Sequence, residues 1–319
     1  MGVSEILQPA SLPAILDVRT IYLQDAAREY SETNAILARF PSAEIIPVAS
    51  HWRIPELHGN TELQSEWNRT KRTTLVLGVK GRYQFRPNGR SADYIGPGTA
   101  NGCAMSCAYC YVARRKGAAN PITLFVNIEA AIGATRKFAA NLPPKPPSQT
   151  DPEFWTFDIG ENSDVSLDAA LCDGLRRQIE AFRTIPNAKA TFATKFVNRD
   201  LLTYDPQRKT RVRFSLMPSS LAKVLDVRTS PIAERIAAID DFVAAGYEVH
   251  LNLSPVVIAE DSRELYRELF RQIDDGIGPV ARAQLRAEII FLTHNEELHE
   301  ANLQWHPKAE EILWRPDLQ

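Results

Sequence analysis

Cys103, Cys107 and Cys110 fall within eight consecutive residues, spaced C-x3-C-x2-C in the segment Gly102-Cys103-Ala104-Met105-Ser106-Cys107-Ala108-Tyr109-Cys110-Tyr111. Crowding three thiols together calls for a metal or a redox reason, because cysteines used only for packing are scattered. Three thiolates can each hold one iron of a cubane cluster. That leaves one iron open to a chelating small molecule. The fourth cysteine, Cys172, falls in the helix expected after the second strand. The competing metal reading is zinc, which favours paired C-x2-C or mixed Cys/His sets. None of His51, His58, His250, His294, His299 and His306 stands near the cysteines in sequence, so a zinc site would have to be assembled by the fold.

The elements that position this loop show a rhythm from about Ser91 onward. Short apolar runs at Tyr94-Ile95-Gly96, Phe154 to Ile159, Ala190 to Thr194, Val212 to Met217, Glu248 to Leu253 and Glu288 to Leu292 read as strands. Helices are expected at Ile128 to Asn141, Asp168 to Arg183, Pro231 to Ala245 and Ser262 to Asp275. Ser230-Pro231 reads as an N-cap and a first-turn proline, and Gly246 as a helix C-terminal glycine. Alternating strands and helices imply a parallel sheet, either a partial barrel or an open doubly wound sheet. In barrel-like folds, catalytic loops sit at the strands' C-terminal ends, and the cysteine loop follows the first short strand. Residues 1–88 read differently, as a small N-terminal α/β extension, with residues 89–319 forming the main body. In the extension, Ala10 to Ala27 and Tyr30 to Phe40 have helical spacing in places, and Ala43 to Val48 and Thr73 to Lys80 suit strands.

Composition narrows the setting. At 319 residues, 44% hydrophobic and 24% charged, the chain is an ordinary globular one. No run approaches the ~20 apolar residues that span a bilayer, and Met1 to Ala10 lacks a secretory pattern, so a cytoplasmic location is expected. The net charge of −2 gives no global attraction to nucleic acid. Two local basic runs could bind a polyanion: Arg69, Lys71 and Arg72, and Arg208, Lys209, Arg211 and Arg213. The second interleaves with apolar residues as a solvated strand face would.

The C-x3-C-x2-C segment, with an aromatic before its last cysteine, resembles the radical S-adenosylmethionine superfamily. The tyrosines flanking Cys110 narrow the resemblance to the spore photoproduct lyase-like family. So do Thr70 to Val79, Asn162-Ser163-Asp164, Thr194-Lys195-Phe196, Ala244-Ala245-Gly246-Tyr247 and Leu253-Ser254-Pro255-Val256. The likeness runs from about position 45 to 295. It implies a partial (β/α)6 TIM-like barrel and a [4Fe–4S] cluster on Cys103, Cys107 and Cys110. It also implies S-adenosylmethionine cleaved to a 5′-deoxyadenosyl radical, an external one-electron donor of flavodoxin or ferredoxin type, and a thymine-dimer photoproduct in DNA as substrate. By the same resemblance, Ser163, Lys195 and Ser215 contact S-adenosylmethionine, Tyr109 lies beside the cluster, and Tyr111 contacts substrate or gates the radical.

One position departs from that pattern. Family members carry a cysteine at the end of the second strand that returns hydrogen to the product radical, and here Glu161 occupies that place. Gly160-Glu161 is similar instead to the glycine–glutamate element of other superfamily members, whose carboxylate binds the cofactor's ammonium. A carboxylate capping the next helix is the plainer alternative. Radical chemistry on another substrate (a small molecule, peptide or RNA base) and a non-catalytic metal-binding protein are the remaining readings.

Overall fold

The structure is a computed structural model, described over residues 15–57, 66–110, 112, 120–292 and 294–317. Its first part runs β1 (Thr20–Gln24), α1 (Ser31–Arg39), β2 (Glu44–Val48), α2 (Trp67–Thr73) and β3 (Thr74–Gly78). The helical spacing expected across Ala10 to Ala27 gives way to a strand at Thr20–Gln24. The sequence Thr-Ile-Tyr-Leu-Gln is rich in strand formers, and β1 pairs in parallel with both β2 and β3, so tertiary pairing overrides the local pattern. Residues 1–14 lie outside the described residues.

The chain continues through β4 (Arg86–Pro87), β5 (Tyr94–Ile95), β6 (Ala100–Asn101), β7 (Ile122–Phe125), α3 (Ile128–Ala140), β8 (Trp155–Asp158), α4 (Val165–Asp168), α5 (Gly174–Thr184) and β9 (Ala188–Thr194). It ends with β10 (Thr210–Ser215), α6 (Ser219–Leu225), α7 (Ile232–Ala244), β11 (Glu248–Val256), α8 (Ser262–Gly276), α9 (Pro279–Gln284), β12 (Ala287–Phe291), α10 (Glu296–Trp305) and α11 (Pro307–Leu313). The seven-stranded sheet has the order β12-β11-β10-β9-β8-β5-β4, parallel except for the β4–β5 hairpin. Its six parallel strands are the six runs read from the sequence, curled as a partial TIM-like barrel. The smaller sheet has the order β2-β1-β3-β7-β6, so strands from both sides of position 88 share it.

The expected helix from Asp168 is broken in two. Asp164 caps α4 by accepting the Leu167 N–H at 3.2 Å, and Cys172 sits in the turn before α5 rather than in a helix. Ser230 does not cap α7: its hydroxyl takes the Val197 N–H at 3.0 Å, and Pro231 is the cap residue. Gly246 has φ +90, as a helix-ending glycine requires.

The convex face of the large sheet carries Phe157, Phe192, Phe214 and Val249, all wholly buried. Phe214 meets Phe242 of α7 edge to face at 5.1 Å. Each such side chain contributes roughly 1.5–3 kcal/mol by leaving water. The opposite, concave face is charged. Arg211 reaches Asp151 at 2.8 Å and Glu248 at 2.9 Å, and Lys189 reaches the same two carboxylates at 2.7 and 2.6 Å. Arg213 pairs with Asp158 at 2.6 Å and Glu288 at 3.1 Å. Burial pushes the Glu248 carboxyl upward, yet His250, Arg211 and Lys189 together hold it well below the usual carboxylate range. The solvated strand face expected for Arg211 and Arg213 is therefore the barrel lumen. Period-two alternation fixed which side they take but could not show that the sheet curls around them.

Candidate active site

The cysteine loop emerges where the two sheets meet. β5 belongs to the large sheet and β6 to the small one, and Gly102 follows β6 directly. Gly102 has φ +84, and a Cβ there would stand 2.3 Å from the Pro121 carbonyl oxygen, so only glycine fits this turn. Its N–H donates to the Asn162 carbonyl at 2.8 Å, tying the loop to the end of β8. Further on, Ser106 N–H donates to Val227 at 3.1 Å and Ala108 N–H to Leu225 at 2.9 Å. The Ala108 carbonyl accepts from Asn302 of α10 at 2.7 Å. Cys107, Ala104 and Met105 pack into the core of the small sheet with Ile21, Leu23, Leu75 and Leu77. The N-terminal strands thus form the floor of the loop.

Burial pushes the Cys107 thiol up to about 12 and raises Cys103 as well. Such thiols ionise at neutral pH only when a metal or cations take up the charge. Among the described residues, the group of three candidate metal-ligand atoms lying within 4.8 Å of one another is His294, His299 and Glu310. The three cysteine sulfurs do not all lie within 4.8 Å of one another, whereas ligands of tetrahedral zinc are separated by roughly 3.8 Å. A donor set of three spread thiols on one loop fits a cubane, each sulfur serving its own iron. Among the described residues, His51, His250, His294 and His299 are engaged elsewhere. His51 bonds Gln24 at 2.7 Å, His250 lies 2.9 Å from Glu248 in poor hydrogen-bond alignment, and His294 and His299 both bond Glu310. Glu310 also accepts from Asn302 at 2.6 Å, so this trio braces the residue that holds Ala108.

Lys195 follows β9 at its C-terminal end. Its ammonium bonds Asp226 at 2.8 Å and the Tyr109 hydroxyl, which in turn donates to Asp226. Arg235, wholly buried on α7, reaches the other Asp226 oxygen at 3.1 Å and the Ser215 carbonyl at 2.7 Å. Asp226 therefore sits between two cations beside the cysteine loop, with a second buried carboxylate, Asp164, also interacting with Arg235. Burial alone would raise the Asp226 carboxyl, but Lys195 and Arg235 hold it below its ordinary value. Asp164 fixes the Lys195 backbone, accepting its N–H at 2.8 Å and the Thr194 hydroxyl at 2.8 Å. Ser215 ends β10, and its hydroxyl accepts from Asn252 at 3.2 Å. Ser163 lies in the loop after β8 beside Asp168, whose buried carboxyl is raised well above its usual value by burial. The pair is placed without an ordinary hydrogen bond, since neither Asp168 oxygen has one.

Glu161 caps no helix, because Asp164 does. Both of its oxygens accept from Arg86 at 2.5 Å, and one accepts from Asn162 at 3.1 Å. It lines a cavity of about 250 Å³ with Lys80, Arg82, Arg86, Asn101 and Asn162, next to the cysteine loop. Tyr111 lies outside the described residues. Asp226, Arg235 and Asn302 were not singled out from the sequence, and Asp164 entered only as part of the Asn162-Ser163-Asp164 resemblance. Each is polar and buried, and no local spacing distinguishes such a residue from a surface one. Lys71 was read as part of a surface basic run, yet it is buried to 2% on α2. Trp67, four residues before it and also buried, marks the same face of the helix.

Comparison with known proteins accords with this architecture. The profile of the spore photoproduct lyase family matches residues 17–310. Spore photoproduct lyase of Bacillus subtilis (strain 168) is 31% identical over 273 residues, covering 85% of this chain and 77% of that protein. The enzyme of that name from Geobacillus sp. is 26% identical over 294 residues, covering 91% and 83%. A solved structure of a spore photoproduct lyase variant with bound AdoMet and dinucleoside spore photoproduct superposes with a TM-score of 0.82 at 25% identity, covering 92% of this chain and 84% of that one. Another, of the lyase complexed with dinucleoside spore photoproduct, gives the same score and coverage. On its sequence and on its fold, this chain belongs to the spore photoproduct lyase family.

Proposed function

We propose that the chain is a radical S-adenosylmethionine enzyme with spore photoproduct lyase activity, holding a [4Fe–4S] cluster on Cys103, Cys107 and Cys110. The observation that carries this reading is the junction of the three-cysteine loop, through Tyr109, with the Lys195–Asp226–Arg235 group beside the end of β9. When bound, the cluster supplies the electron that cleaves S-adenosylmethionine, and that chemistry belongs to the cofactors. The chain's own residues bind and orient. Lys195, partly exposed where Arg235 is wholly buried, is the cation suited to contact the methionyl carboxylate. Tyr109, held between Lys195 and Asp226, forms the wall beside Cys110. Ser163 and Ser215 offer hydroxyls to the cofactor's polar groups from the ends of β8 and β10. Tyr111, one residue beyond Cys110, is the candidate to contact substrate. The partners are an external one-electron donor and DNA bearing the lesion, in a reducing cytoplasm where the thiols stay free.

Glu161 supports a second reading of the substrate. Bound by Arg86 and Asn162, it is an acceptor and not a hydrogen-atom donor, and the cavity it lines is rich in cations. Radical chemistry on another anionic substrate fits this pocket. Anaerobic incubation of the reconstituted enzyme with dinucleoside spore photoproduct separates the two. Release of the repaired dinucleoside supports lyase activity, whereas formation of 5′-deoxyadenosine with no repaired product points to the other substrate.

A further inference from the structure

Helix α2 has two unlike faces. Arg69 points outward with its side chain 72% exposed, whereas Lys71 is almost wholly buried. Asn68, three residues before Lys71 and on the same face, accepts a hydrogen bond from the Ser106 hydroxyl within the cysteine loop. Arg228 donates to the Asn68 carbonyl at 3.0 Å and to its side-chain oxygen at 3.2 Å. This face therefore lies against the loop. The Lys71 ammonium stands 5.6 Å from the Trp305 ring; burial pushes its pKa down, and Cys103, Cys110 and Cys107 are near enough to favour its charged form when ionised. Arg228 interacts likewise with Cys103 and Cys107. Among the described residues, no carboxylate forms an ion pair with Lys71 or Arg228. A buried cation without a counter-charge is strongly unfavourable, so its partner has to be sought among the groups around it. The three cysteines are those groups.

We propose that Lys71, seconded by Arg228, is the counter-charge of the cluster and sets how readily it accepts its electron. The inference rests on the reading that Cys103, Cys107 and Cys110 hold a [4Fe–4S] cluster. Three thiolates on an oxidised cubane leave it with one net negative charge, and one-electron reduction by the external donor protein adds a second. No bond in this chain forms or breaks in that step. A neighbouring cation favours the more negative, reduced state. A unit charge acting across roughly 10 Å at an effective dielectric near 20 changes an equilibrium constant about tenfold. Lys71 is thus a positioning and tuning residue, not a catalytic one.

The test is an anaerobic redox titration of the reconstituted enzyme, followed by electron paramagnetic resonance of the reduced cluster. Lys71→Met lowers the reduced-to-oxidised ratio about tenfold at a fixed donor potential, a midpoint shift of about 59 mV downward for one electron. Lys71→Arg restores the wild-type value, and Arg69→Gln, on the solvent face of the same helix, leaves it unchanged. Arg228→Gln shifts it in the same direction and serves where Lys71→Met loads poorly. A second readout separates this role from simple packing. In the cluster-free protein, Lys71→Met raises the melting temperature, because an unpaired buried cation is gone. Equal potentials across a fully loaded series overturn the inference alone. Failure of the wild type to take up iron and sulfide overturns the cluster assignment and the inference with it.

Discussion

Asp226→Asn isolates the ion pair that orders the cofactor side of the site. The Asp226 side chain is 1% exposed and is shared between Lys195 at 2.8 Å and Arg235 at 3.1 Å. Asparagine keeps the shape but leaves the wholly buried Arg235 and the partly buried Lys195 with no carboxylate between them. Breaking a buried pair from one side costs about 3–5 kcal/mol. At about 2 °C per kcal/mol for a chain of this size, the melting temperature should fall by about 6–10 °C. The pH dependence follows from the depressed Asp226 pKa. Stability from a depressed carboxyl is fully present above the unfolded value, near 4, and is lost as pH falls through the lower folded value. The gap between wild type and variant should therefore stay constant from pH 8 to 5 and close below about pH 4. Differential scanning calorimetry across that range measures it. A variant melting within about 1 °C of wild type at pH 7 would refute the argument that this carboxylate compensates both cations.

Gly102→Ala should cost about 3 kcal/mol or more and lower iron bound per chain, since its Cβ would meet the Pro121 carbonyl oxygen at 2.3 Å; iron analysis and thermal melting report both. Asn302→Ala orphans the Ala108 carbonyl and one Glu310 oxygen and should cost about 1–3 kcal/mol, measured by urea denaturation of the cluster-free protein. Glu161→Cys restores a hydrogen-atom donor at the end of β8 and should raise repaired product per chain several-fold in the dinucleoside assay; no gain would mean that Glu161 is not the sole departure from the family's hydrogen return.

The sequence made the repeating architecture legible because strand and helix periods are local. All six barrel strands and the helices α3, α7 and α8 fall close to where their periodicity puts them. Thr20–Gln24 was misread because its strand state comes from pairing on both sides, which no local window contains. The three-cysteine loop stood out because its thiols are crowded into eight residues. Asp226 and Arg235 did not, because Asp226 reaches Lys195 across 31 positions and Arg235 joins the group only through Asp226, from another element. Lys71, Arg211 and Arg213 show the same limit. Charge in a sequence reads as exposure, and only the fold reveals that these cations are buried beside a cysteine loop or inside a curled sheet. Ser215 ends β10 and Ser163 lies in the loop that follows β8.

The account turns on a three-thiolate cluster whose remaining iron receives S-adenosylmethionine. Its most direct test is the reduced, anaerobically reconstituted protein incubated with S-adenosylmethionine, with 5′-deoxyadenosine quantified by chromatography. Wild type should form it, and Cys103→Ala, Cys107→Ala and Cys110→Ala should each abolish it while Cys172→Ala does not. A fully loaded wild-type protein that forms none, or a Cys172→Ala variant that loses it, would contradict the assignment.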